Sequence, residues 1–124
     1  MEQVPLLIQN GFLCDPANGL EGQFDLLIRD GKIAWIGKDP EIAAQALCVM
    51  SVPGAVVLPG LVDMHVHLRD PGFTQKEDIL TGCEAAAAGG VTSLLCMPNT
   101  KPAVDSVETV EYIRQKAEAA KAHV

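Results

Sequence analysis

The chain is short of positive charge. Nine lysines and arginines stand against sixteen aspartates and glutamates, giving a net charge of -7 and a pI near 4.7. That balance excludes nucleic acid and an anionic membrane surface as main partners, so a small anionic substrate would have to find a local arginine or lysine. The sequence also lacks an uninterrupted apolar run of the roughly 18–20 residues a membrane span requires, and its first residues lack the basic-then-apolar pattern of a secretory leader. Its four cysteines, Cys14, Cys48, Cys83 and Cys96, form no C-x-x-C pair and no compact secreted framework. They read as reduced, mostly buried thiols, and the expectation is a soluble cytoplasmic protein. Histidine is scarce too, with three in 124 residues. Two of those three stand two positions apart.

What is present is a globular composition, 48% hydrophobic and 20% charged, with a change of grammar near Gly60. Before it, short apolar runs alternate with turns. Asn10-Gly11 supplies one turn signal after Pro5–Gln9, and Asp30-Gly31 sits between Phe24–Arg29 and Lys32–Gly37, suiting a two-residue type I′ hairpin. A helical turn is expected within Pro40–Leu47, and strand character returns from Val49 to Leu58 around Pro53-Gly54. After Gly60 the pattern is strand, loop, helix, strand, loop, helix. The first strand spans Leu61–Leu68 and is stopped by Asp70-Pro71-Gly72. Thr74 with Glu77 fits a capping box for a helix over Lys76–Ala88, which Gly89-Gly90 ends. Val91–Met97 is a second buried strand, and Asp105 with Glu108 opens a helix running to about Ala122.

In a strand, residues two apart share a face. Asp63, His65 and His67 therefore project together, while Met64, Val66 and Leu68 pack behind. Two imidazoles converging from one strand are half of a catalytic zinc site, which usually takes three or more protein ligands. On the residues alone, metal ligation and an ordinary hydrogen-bonded role both stay open for the pair. Asp63 could bridge a metal, accept an imidazole N–H behind it or cap the strand, and the second of these is the expected role. Arg69 offers a planar fork for a substrate carboxylate, the alternative being a salt bridge to Asp70 or Glu77. Asn99 either orients a substrate through its amide or merely forms a turn. Parallel α/β units carry their sites at the carboxyl ends of the strands, where both polar blocks fall, so Asn99 is expected within reach of Arg69. Lys76 and Lys101 read as solvated, Cys96 as a small buried hydrophobe, and His123 as outside the site.

The run Pro59-Gly60-Leu61-Val62-Asp63-Met64-His65-Val66-His67-Leu68-Arg69-Asp70-Pro71-Gly72 resembles the metal-binding signature of the amidohydrolase superfamily, specifically the dihydroorotases with an N-terminal sandwich segment. Cys96-Met97-Pro98-Asn99-Thr100-Lys101-Pro102 looks like the second signature of that family, and the spacing between the blocks agrees. The resemblance implies an α/β fold: residues 1–59 as the N-terminal part of a β-sandwich, then residues 60–124 as the first βα units of an incomplete (β/α)8 TIM barrel. It implies His65 and His67 as ligands to Zn2+, one or two ions in the complete protein, with Arg69 and Asn99 binding the substrate carboxylate. The implied reaction interconverts N-carbamoyl-L-aspartate and dihydroorotate in pyrimidine biosynthesis. The catalytic aspartate and remaining ligands would follow later barrel strands, so no catalytic acid or base is assigned within these 124 residues, and the segment alone is expected to be inactive. A barrel of this kind typically needs ~250 residues. Alternatives are a non-catalytic dihydroorotase-like partner of an aspartate transcarbamoylase, or a hydrolase of the hydantoinase or allantoinase type. Expected partners are a small anionic substrate and either further copies of the chain or that transcarbamoylase.

Overall fold

The computed structural model describes residues 4–122 and 124. It divides into two compact units, Met1–Pro59 and Gly60–Val124, each a mixture of its own local elements. His123, read above as outside the site, lies outside the described residues.

The first unit contains β1 (Leu6–Gln9), β2 (Phe12–Asp15), β3 (Leu20–Gln23), β4 (Asp25–Arg29), β5 (Lys32–Gly37), the short helix α1 (Pro40–Ala43), β6 (Cys48–Ser51) and β7 (Val56–Val57). They form a four-stranded sheet in the order β5-β4-β1-β6 and a three-stranded sheet in the order β3-β2-β7. The β4–β5 hairpin turns through Asp30 (φ 53°) and Gly31 (φ 70°), the two positive values a type I′ turn demands. Asn10 also turns with positive φ (67°), yet no hairpin follows. β1 pairs antiparallel with β4 and parallel with β6, whereas β2 pairs with β3 and β7. The chain therefore changes sheet at Asn10-Gly11, returns between β3 and β4, and changes again at Pro53-Gly54, which splits the strand expected over Val49–Leu58. Leu7, Leu13, Leu26 and Leu27 are buried, and a cleft of about 170 Å3 is lined from both sheets by Leu13, Leu26, Ile33, Ile36 and Val57.

The second unit contains β8 (Leu61–Val66), α2 (Ile79–Ala88), β9 (Val91–Cys96) and α3 (Val107–Ala119). β8 and β9 are parallel neighbours, joined across α2. Leu68, Ile79 and Cys83 form the buried cluster, with Val66, Leu94, Cys96, Ile113 and Ala117 packed against it. Strand alternation thus seats Val66 and Leu68 as expected. Met64 departs from the expectation and is 71% exposed, because only one strand flanks β8 and no element among the described residues covers that part of its surface.

Both helices begin later than their sequence signals suggest. The N-cap of α2 is Asp78, whose carboxylate accepts from the Thr81 N–H at 2.9 Å, while Glu77 binds the Asp78 N–H and the Thr81 hydroxyl. Thr74 and Glu77 therefore lie before the helix. The bonds from the Thr81 backbone hold the Asp78 carboxyl below its ordinary range. Likewise Ser106 with Thr109, rather than Asp105 with Glu108, forms the capping box of α3, and that helix ends at Ala119. Of the four free cysteines only Cys83 is buried, and Cys48 is exposed. Burial, and then the neighbouring Cys96, pushes the Cys83 thiol up, which keeps it neutral. Among the described residues, no helix is long and apolar enough to cross a membrane.

Candidate metal and substrate site

The site grows from the carboxyl ends of β8 and β9. β8 ends at Val66, but its ladder continues one step further, since the Met97 N–H donates to the Val66 carbonyl at 2.8 Å. That bond brings His67, just past one strand, level with the Pro98-Asn99 block just past the other. Their side chains meet, with His67 Nδ1 and Asn99 Oδ1 3.0 Å apart. Asn99 was expected within reach of Arg69, and its bonding partner is instead His67.

The rings of His65 and His67 lie 5.3 Å apart between centroids at an interplanar angle of 66°, so the two imidazoles share one side of the strand. With Asn99 Oδ1 as acceptor, His67 carries its proton on Nδ1 and keeps the Nε2 lone pair free. This is the tautomer a metal ligand needs, its other nitrogen held by an amide or carboxylate oxygen. Asp63 behaves differently from the reading above. Its Oδ1 accepts from the backbone N–H of His65 at 2.9 Å, so the carboxylate fixes the strand under His65 rather than an imidazole. Two imidazoles suit zinc in donor chemistry, and among the described residues no group of three or more His, Cys, Asp or Glu converges.

Arg69 is half-buried and adopts a left-handed backbone, φ 60°. Neither salt bridge suggested for it is formed. Asp70 is committed to Tyr112 and Lys116, Glu77 to the start of α2, and Arg69 makes no ion pair among the described residues. The loop that carries it is closed by the Phe73 N–H donating to the Arg69 carbonyl at 2.8 Å. It is also joined to the second loop, where the Lys101 N–H donates to the Pro71 carbonyl at 3.1 Å. Gly72 permits this contact. It has φ 92°, and a Cβ there would strike the Lys101 carbonyl oxygen. Lys76 and Lys101 are exposed, with Lys76 over the Phe73 ring.

Sequence reading missed Asp70, which is 1% exposed. The only sequence signal was an aspartate in a turn-forming Asp-Pro-Gly, which suggests solvent rather than burial.

The solved structures similar to this chain include hydantoinases and dihydropyrimidinases, which indicate the amidohydrolase class. An L-hydantoinase (dihydropyrimidinase) from Arthrobacter aurescens matches with a TM-score of 0.79 and 27% identity over 93% of this chain and 25% of its own. A dihydropyrimidinase from Brevibacillus agri matches with a TM-score of 0.68 and 30% identity, covering 90% of this chain and 24% of its own. The Dihydro-orotase-like family matches residues 54–124, and the chain belongs to that family. Among curated relatives, the dihydroorotase of Aquifex aeolicus is 46% identical over 114 residues, 92% of this chain and 26% of its own length. That of Syntrophotalea carbinolica is 51% identical over 112 residues, 90% of this chain and again 26% of its own. The chain thus spans about a quarter of the length of these relatives.

Proposed function

We propose that this chain is the N-terminal part of a zinc-dependent dihydroorotase that interconverts N-carbamoyl-L-aspartate and dihydroorotate. The observation that carries the reading is the joining of the two signature blocks at one place, His67 to Asn99, with His65 beside them. His65 and His67 would hold the ion through imidazole nitrogens, and the remaining ligands and the acid/base carboxylate would come from the part of the relatives that this chain does not span. The chemistry such an ion supplies when bound is an acidified water, its pKa lowered towards ~7, and a polarised ring carbonyl. Asn99 orients His67 and keeps its own amide N–H groups free to donate to a substrate oxygen. Arg69, free of internal ion pairs among the described residues, offers the fork that binds the substrate carboxylate. In the same reading, the first unit is part of a β-sandwich and the second is the opening βα units of a (β/α)8 barrel.

A second reading keeps the cyclic amide and removes the carboxylate, as suits a hydantoinase, and the likeness to hydantoinase structures favours it. Assay of the complete protein with dihydroorotate, hydantoin and allantoin separates the two. Turnover of dihydroorotate with loss of activity in Arg69→Met supports the first, and turnover of the neutral rings alone removes it. In the same protein, His65→Ala and His67→Ala are expected to lower bound zinc at least about tenfold and to abolish turnover. Zinc content unchanged in both variants would refute the ligand assignment.

A further inference from the structure

The carboxylate of Asp70 is wholly buried, one residue from Arg69, and nothing in the proposed chemistry uses it. Burying a carboxylate is costly unless it is paired and hydrogen-bonded, and here one helix hydrogen-bonds Oδ1 and ion-pairs Oδ2, which has no hydrogen-bond partner among the described residues. The Tyr112 hydroxyl donates to Oδ1 at 3.0 Å, Lys116 Nζ lies 2.5 Å from Oδ2, and Lys116 also donates to the Tyr112 oxygen at 3.1 Å. The three groups close a ring between the loop after β8 and successive turns of α3. Neighbouring Arg69 sits at φ 60° without the freedom of glycine, a backbone state that persists only when its surroundings impose it. We propose that Asp70, Tyr112 and Lys116 form an anchor that positions Arg69, holding its backbone left-handed so that the guanidinium meets the substrate carboxylate. Freed from the anchor, residue 69 relaxes towards negative φ and its side chain swings to a new direction. Asp70, Tyr112 and Lys116 are then positioning residues, acting through Arg69 without touching substrate.

The inference rests on the function proposed above, and its test separates the two. In the complete protein, Lys116→Met is expected to raise KM for dihydroorotate about tenfold or more, with kcat within about threefold and zinc content unchanged, because only carboxylate binding is disturbed. Lys116→Arg, which can still pair with Asp70, should restore most of the loss, and Tyr112→Phe should follow Lys116→Met in kind. Asp70→Asn probes the same ring where that variant folds, while Lys116, whose side chain is partly exposed, tolerates replacement more readily. KM unchanged, or kcat and zinc lost together at constant KM, overturns the proposal. If the unaltered protein does not turn over dihydroorotate, the functional reading fails by itself. The anchor is then judged by hydrogen exchange of the Phe73 amide, which is bonded to the Arg69 carbonyl. Faster exchange of that amide in Lys116→Met, with the Met97 amide unaffected, supports the anchor, and unchanged exchange overturns it.

Discussion

Asn99 Oδ1 lies 3.0 Å from His67 Nδ1, across 32 residues of sequence and between the ends of two parallel strands. One hydrogen bond therefore joins the two blocks that carry the family resemblance, and because an amide oxygen only accepts, it favours a proton on His67 Nδ1 and a lone pair on Nε2.

Removing that acceptor frees His67 to take either tautomer. Asn99→Leu is expected to shift the 15N resonances of the His67 ring from a single Nδ1–H form to a mixture, and to weaken zinc binding about 10–100-fold in the complete protein. Asn99→Asp retains an acceptor oxygen and should keep the Nδ1–H form. Identical ring spectra in the unaltered protein and Asn99→Leu would show that the bond does not set the tautomer.

Gly72 tests the junction of the two loops. Gly72→Ala places a methyl group against the Lys101 carbonyl and forces a side chain on to a backbone at φ 92°. The expected loss is about 1–3 kcal/mol of stability, read as a lower urea midpoint. Lys101→Ala should not reproduce it, because the obstacle is backbone.

Alkaline pH tests the anchor on α3. The hydrogen bond to Asp70, and then that to Tyr112, pushes the Lys116 ammonium up to about 12 from its ordinary 10.5. A group whose pKa is raised by folding contributes stability that is complete below its unfolded value and is lost as pH rises through its folded value. The contribution of Lys116 is therefore expected to fade between about pH 10.5 and 12. Urea midpoints measured across that window should fall more steeply in the unaltered protein than in Lys116→Met, and parallel curves would count against the pairing.

Much of the fold was legible because it is governed by near neighbours. Asp30-Gly31 announces its hairpin through the positive φ both residues tolerate, and the β8-α2-β9 order follows from two apolar runs separated by a capped alanine-rich stretch. Helix starts were misread because several capping residues compete within a few positions. Asp78 prevails over Thr74 since Thr81 can answer it with both a backbone and a side-chain bond. The pairing of His65 and His67 on one side was visible from strand periodicity, whereas the partner of Asn99 was not. Crossover geometry brings strand ends together but does not choose among His67 and Arg69 two residues apart. Asp70 was invisible for a similar reason, its partners lying on α3, 42 residues away in the case of Tyr112. Exposure of Met64 depends on what flanks a strand, which its own alternation does not reveal.

With Arg69 in the substrate-binding role proposed for it, its left-handed backbone sets folding and binding against each other. A β-carbon in that conformation costs about 1–2 kcal/mol, and glycine there would relieve it. A polypeptide shaped by stability alone would follow β8 with His67-Leu68 and then a glycine. Arg69→Gly is accordingly expected to raise the urea midpoint while abolishing recognition of carboxylate-bearing rings, a trade of robustness for selectivity located at one residue. A midpoint lowered by Arg69→Gly would mean that the guanidinium itself contributes more to the fold than its backbone strain removes.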